Sequence, residues 1–341
     1  MDEGKRGAAR IFRAGNMRKP FLQKIWALSM IVLFSYLLVH NPFSEIYVNT
    51  LKTEALPASG GKDPLYGEIL HKAKNYEKPA QNAKIDKVWK KMPGYNGLKV
   101  DVEASYRKMK PYKKFLEDKL VFRQIPPQVH LEQLPPSPIY RGHPDKPMVA
   151  FTFNVAWGEE YLSTILEILK KHHISATFFL EGRWAKGHAE AVKMIHEGGH
   201  EIGSHSYSHP DMAKISEDEA EAELKKTNDI LRATVGIAPK WFAPPSGSFN
   251  DRTVALAAKM NMETILWSVD TIDWQKPSPN TIVDRVRKQA HNGAIILMHP
   301  TASTAEALEP MISVLKEEGY KIGSVTELLD EKRIITRTLS H

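Results

Sequence analysis

His205-Ser206-Tyr207-Ser208-His209 places two imidazoles four residues apart, a spacing that brings both to one face of a helical turn and lets them share a divalent cation. Alone, the pattern is weak, because two solvated or packed histidines explain it as well. Its position gives it weight. Its first histidine closes the strand candidate 201–205, and other reactive residues end other such candidates. Asn154 closes the run 148–154, and the turn Ala243-Pro244-Pro245-Ser246-Gly247 follows 240–244. Asp270 and Asp273 follow 263–269, and His299 follows 294–298. Polar groups from five separate segments, each at the carboxyl end of a strand candidate, describe one rim. In parallel β/α architectures that rim collects binding and catalytic side chains. His172, His173, His188, His196 and His200 fall instead on helical stretches or their ends and read as solvated or packed.

The elements that position this rim begin past Lys146, where short β-branched runs alternate with amphipathic stretches. Strands are predicted over 148–154, 175–181, 201–205, 240–244, 263–269, 294–298 and 321–325, and helices over 161–171, 189–197, 217–234, 252–260, 281–290 and 305–318. Ser216 and Glu219 form a capping box at one helix start. Near-continuous apolar strands joined by helices imply a parallel sheet, closed as a barrel or open and doubly wound. Upstream, Leu65, Ile69, Leu70 and Ala73 share a helical face, as do Ile85, Val88, Trp89 and Met92. Residues 98–102 alternate like a strand, a third helical pattern runs from Glu103 to about residue 119, and Pro126-Pro127 and Pro135-Pro136 suggest a stiff connector.

The 341 residues contain no cysteine, which excludes a disulfide framework, a thiolate metal site and a cysteine nucleophile. Residues 1–24 carry a net charge of +5 and 41–147 of +7, whereas 148–341 carry −5. A nucleic-acid binder should concentrate positive charge on its gripping domain, so nucleic acid is not the expected partner. Residues 25–39 are uncharged and follow Arg13, Arg18, Lys19 and Lys24. That length suits a short span or a signal-peptide core, but no small-x-small cleavage pattern follows. The expectation is an uncleaved anchor with the basic tail in the cytoplasm and the rest outside, a single-pass cell-membrane protein. The predicted organisation is a tail over 1–24, a signal-anchor over 25–43, a linker and small basic α/β module over 44–146, a barrel over 147–330 and a tail over 331–341.

Several stretches carry a family resemblance: Phe151-Thr152-Phe153-Asn154-Val155, Ala176-Thr177-Phe178-Phe179, Gly199-His200-Glu201-Ile202-Gly203-Ser204-His205, His209, Pro244-Pro245, Asp273-Trp274 and Leu297-Met298-His299. Residues 148–330 resemble the polysaccharide deacetylases with a NodB-homology domain, carbohydrate esterase family 4, and among them the sporulation-associated members. The resemblance implies a distorted (β/α)7 barrel that removes acetyl groups from N-acetylhexosamine units of cell-wall glycan, peptidoglycan included. It implies a divalent metal, usually zinc, held by an aspartate and two histidines, with a second carboxylate as base and a later histidine as acid. Carried over, His205 and His209 are metal ligands, His299 is the acid and Asp273 orients it. Trp274 and Leu297 line an acetyl pocket, and Pro244, Pro245 and Ser246 border the substrate, the Ser246 N–H facing the oxyanion.

The departures fall on one side of this site. Asn154 and Val155 stand where the family has the base and metal-binding aspartates, and Ala243 where it has an arginine partner of the base. Asparagine accepts no proton and valine binds no cation. Glu159 and Glu160 are the nearest carboxylates in sequence, and a solvated first helical turn explains both equally. The chain therefore reads as a membrane-anchored, deacetylase-like hydrolase with an altered site whose metal is weakly bound or absent. The alternative is a glycan-binding or scaffold protein that keeps the fold without turnover.

Overall fold

The computed structural model describes residues 63–335 together with Trp26, Ser29, Met30, Val32, Leu33, Ser35, Tyr36 and Asn41. The predicted basic tail 1–24, most of the linker and residues 336–341 lie outside the described residues. Residues up to Glu68 and residues from Ile69 onward form two units. In the first, Trp26, Met30, Val32, Leu33 and Tyr36 are helical and exposed. No helix among the described residues is long and apolar enough to cross a membrane.

The second unit is built on strand β1 (Met148–Val155), whose eight residues are all buried. Period-2 alternation divides them. Val149, Phe151, Phe153 and Val155 enter the cluster formed with the surrounding helices, while Met148 and Ala150 enter an inner cluster with Phe179, Ala243 and Ile295. Each large apolar side chain so buried contributes about 1.5–3 kcal/mol. The chain continues through α1 (Glu159–Lys171), β2 (Thr177–Leu180), α2 (Gly182–Gly187), α3 (Ala189–Glu197), β3 (Glu201–Ser204), α4 (Glu217–Val235), β4 (Trp241–Phe242) and α5 (Asp251–Lys259). There follow β5 (Glu263–Thr264), β6 (Val269–Asp270), α6 (Pro279–Gln289), β7 (Ile295–Met298), α7 (Ala302–Glu317), β8 (Lys321–Gly323) and α8 (Val325–Leu329).

The strands lie in the order β6-β7-β1-β2-β3-β4-β5, every neighbour parallel, with β8 paired to the start of β1. This is an α/β half-barrel of eight strands, where seven were expected. The extra strand comes from the predicted strand 263–269, which breaks into β5 and β6. No pairing joins these two among the described residues, so the barrel keeps a seam. Fully buried Ile139, from the Pro-rich connector, enters beside it. Its N–H donates to Thr264 O (2.9 Å), and its carbonyl accepts from Leu266 N (2.8 Å). A segment read as a spacer thus covers an open sheet edge.

The basic module differs from expectation in one place of consequence. Ile85, Val88, Trp89 and Met92 form no helix but an antiparallel hairpin, Lys84–Asp86 against Lys90–Met92. Asp86 Oδ1 accepts from Val88 N (2.8 Å) and Trp89 N (2.9 Å), and Lys90 takes φ 59°. This side-chain-capped turn beats helical propensity. Gly97–Val100 pairs antiparallel with Phe122–Ile125. The third helix runs only Val102–Met109, since Pro111 and the left-handed Lys113 stop it. Glu331 and Arg333, in the segment expected to be a C-terminal tail, bind the chain that leaves α8 to this module. Glu331 accepts from Gly94 N, Leu131 N and His130, and Arg333 Nε donates to Asn96 O (2.8 Å).

Candidate active site

β7 ends at Met298, and His299 turns back onto a buried carboxylate. Its N–H donates to Asp273 Oδ2 (2.6 Å), its ring Nδ1 lies 2.7 Å from Oδ1, and Thr304 Oγ1 donates to Oδ2 (2.6 Å). Three donors thus satisfy a carboxylate with no exposure of its own. Nδ1 is the donor by the logic of this network, so Nε2 is the nitrogen able to exchange a proton with a bound molecule. The carboxylate sits on a short turn entered through Ile272 at φ 54°, a strained conformation for a β-branched residue. Asp270 Oδ1 secures that entry by accepting from Ile272 N (2.8 Å).

Opposite stand the two histidines. They lie on an irregular loop rather than a helical turn, with Ser206 at φ 62° and His209 at φ 58°. Their rings meet edge to face, centroids 5.1 Å apart. His205 Nδ1 lies 2.7 Å from Ala243 O, which makes Nδ1–H the donor and leaves Nε2 a lone pair. Burial, reinforced by His209, pushes the His205 imidazole down to about 3, and burial lowers His209 as well. Both rings are neutral near pH 7, the form that ligates metals. Glu223 holds the loop from α4: Oε2 accepts from Tyr207 N (2.8 Å) and Ser208 N (2.7 Å), and Oε1 from Ser208 Oγ (2.8 Å).

As a metal site this donor set falls short. Among the described residues no group of three His, Asp or Glu side chains stands ready to hold an ion. Zinc normally takes at least three protein ligands. Val155 explains the gap, because its side chain lies in the apolar cluster beneath the helices and does not line the cavity.

His205, His209 and His299 open on one cavity of about 470 Å³ together with Asn154, Ser246, Trp274 and Leu297. The residues singled out in the sequence therefore converge, with limits. Pro244 and Pro245 are buried behind the cavity and do not line it. Glu159 and Glu160 are exposed on the first turn of α1, outside the lining, and Glu159 faces His188 (3.7 Å). Ala243 is buried and offers only its carbonyl. Asp270 is the one carboxylate among the described lining residues. Trp157, Trp267 and Glu223 escaped the sequence reading. Glu223 had left a trace: half-buried, it flanks the stripe that Ala220, Leu224 and Thr227 bury on α4.

A parallel half-barrel with a histidine pair, a His–Asp pair and an open cavity at the carboxyl ends of its strands has the layout that the resemblance to carbohydrate esterases implies. Residues 141–265 match the polysaccharide deacetylase family. The uncharacterized protein YlxY of Bacillus subtilis is 54% identical over 301 residues, 88% of this chain and 94% of that protein. A peptidoglycan-N-acetylglucosamine deacetylase of Bacillus cereus is 36% identical over 199 residues, 57% of this chain and 72% of the relative. The chain belongs to the polysaccharide deacetylase family, carbohydrate esterase family 4. A crystal structure of a pseudoenzyme of that family from Bacillus anthracis superposes with a TM-score of 0.78 at 57% identity, covering 80% of this chain and 97% of the other. A mutant of that pseudoenzyme, described as having restored enzymatic activity, superposes at 0.77 with 56% identity over 79% and 99% of the two chains.

Proposed function

We propose that this chain is a cell-surface protein that binds N-acetylated, peptidoglycan-type wall glycan in a deacetylase groove and turns it over slowly or not at all. One observation carries the reading: the acid half, His299–Asp273–Thr304, is fully assembled, while Asn154 occupies the base position in the same cavity. His299 is placed to give a proton to a leaving amine, and Trp274 and Leu297 form an apolar pocket suited to an acetyl methyl. Asn154 can orient a water but cannot take its proton. A positioned general base contributes roughly 10²–10⁴-fold, so hydrolysis should fall by about that factor. His205 and His209 would hold a divalent ion, zinc first by their chemistry, only weakly. The basic, apolar N-terminal sequence and the exposed apolar helical residues Trp26, Val32 and Leu33 support a single-pass membrane anchor with the barrel outside. The resemblance to sporulation-associated members makes the wall of a spore-forming cell the setting to examine. The pseudoenzyme relative and its reactivated mutant support the impaired-site reading.

The test is acetate release from N-acetylglucosamine oligomers and from peptidoglycan by the full chain in detergent, with zinc or cobalt added. The unmodified chain should be near background, and Asn154→Asp should raise the rate at least about tenfold, part of the contribution of a base. Brisk release by the unmodified chain, abolished by Asp270→Asn, would replace this reading with that of an active deacetylase using Asp270.

A further inference from the structure

We propose that Trp157 is a sugar-stacking platform: its open indole face takes the apolar face of an N-acetylhexosamine ring and sets that ring beside His299. The inference rests on the wall-glycan reading above and deepens it by naming a binding residue outside the metal and acid–base groups. Trp157 and Trp274 both line the cavity, yet remain 45% and 53% exposed. Large aromatic surface left open inside a concave site is surface kept for a ligand. The Trp157 ring runs parallel to the His299 imidazole, 4° between planes and 6.0 Å between centroids, so indole and acid lie side by side along the cavity.

The placement is enforced by the backbone. Gly158 has φ +81°, and a Cβ there would come within 2.0 Å of Pro300 O. No other residue fits, so the loop after β1 is pressed onto the loop carrying His299 and the backbone that presents Trp157 is set before any ligand arrives. The rest of the lining complements a pyranose, which has one face of C–H groups and a rim of hydroxyls. Trp157 supplies the flat apolar surface, while Asp270, Asn154 and Ser246 supply acceptors and donors for the rim. Binding of this kind needs neither a metal nor a base.

Calorimetric titration of the full chain in detergent with the N-acetylglucosamine tetramer, without metal, tests the assignment. Trp157→Ala should weaken binding by about tenfold, and Trp157→Phe, which keeps a ring, by no more than about threefold. Far-UV spectra and melting temperatures of both variants should match the unmodified chain. If the unmodified chain binds no tetramer, the glycan reading of the site fails and takes this inference with it. If it binds and Trp157→Ala binds equally well, the inference alone fails. Equal losses in the Ala and Phe variants, with folding intact, would also overturn it, since they would point to a contact other than the aromatic face.

Discussion

Asn154 and Val155 are chain neighbours with opposite surroundings, and that difference decides what each can regain. Asn154 lies on the inner side of β1 and lines the cavity with His205 and His299, whereas Val155 is packed among apolar side chains under the helices. Strand alternation makes this inevitable while β1 stays regular to its last residue. An aspartate at 154 would meet polar neighbours and the open cavity. An aspartate at 155 would lose its hydration in an apolar cluster, at a cost of about 1–3 kcal/mol or more. Val155→Asp alone should therefore lower the melting temperature without producing tight zinc binding. A variant as stable as the parent that gains a tight zinc site would show that the end of β1 turns its side chain toward the histidines. Ala243 poses a related problem, since arginine there must enter a buried cluster occupied by Phe179, Trp241 and Ile265. Position 154 thus keeps a polar side chain in the cavity, whereas positions 155 and 243 are committed to apolar packing.

At the level of elements, the site is a set of loops held against strain by the helices below them. Ser206, His209, Ser246 and Ile272 all adopt left-handed backbone in the loops that border the cavity. Such residues persist only where their surroundings over-determine them. For the histidine loop that surrounding is Glu223, whose carboxylate takes two backbone N–H groups and one hydroxyl. Glu223→Ala leaves the amides of Tyr207 and Ser208 without that acceptor, at about 1–3 kcal/mol for each amide left buried and unpaired. The melting temperature should fall, and the weak zinc affinity proposed for His205 and His209 should fall further than stability alone explains. Glu223→Gln, which keeps an acceptor, should recover most of both; unchanged zinc binding in the alanine variant would remove Glu223 from the site. Sequence patterning located most of these elements because apolar periodicity records burial. It found β1, α3 and α4 within a residue or two, since each carries a long stripe or a capping box. It failed at 84–92 and 263–269, where Asp86 side-chain bonds and the seam at Ile139 determine the chain path. Of the site, histidines and aspartates at strand ends were legible. Trp157 and Glu223 were not, because their roles depend on which loops meet, and no local pattern reports that.

Across the whole second unit, charge and burial combine in a way that pH can probe. Two histidines far from the cavity are buried and neutral: His143, stacked on Tyr95 of the basic module (4.8 Å), and His200, edge-on to Phe178 (5.2 Å). Each uses Nδ1 as an acceptor, from Asp145 N (3.1 Å) and from Ala176 N (3.2 Å) respectively, so protonation would set a donor against a donor. Burial pushes both down to about 4; the Asp145 carboxylate partly opposes this for His143, and the Arg333 guanidinium adds to it. The folded state thus binds fewer protons than the unfolded chain, whose histidines titrate near 6.5. Their contribution is fully present above that pH and is lost as pH falls from about 6.5 toward 4, at up to about 1.4 kcal/mol per pH unit for each ring. Between pH 7 and 5 most carboxylates stay ionised, so this interval isolates the histidines. Denaturant unfolding across it should show stability falling with acid. His200→Gln, which can still accept from Ala176 N but cannot titrate, should flatten the slope. A stability unchanged between pH 7 and 5 would mean that the buried rings, His205 included, meet water in the folded protein, and that His143 is packed more loosely than its stacking on Tyr95 implies.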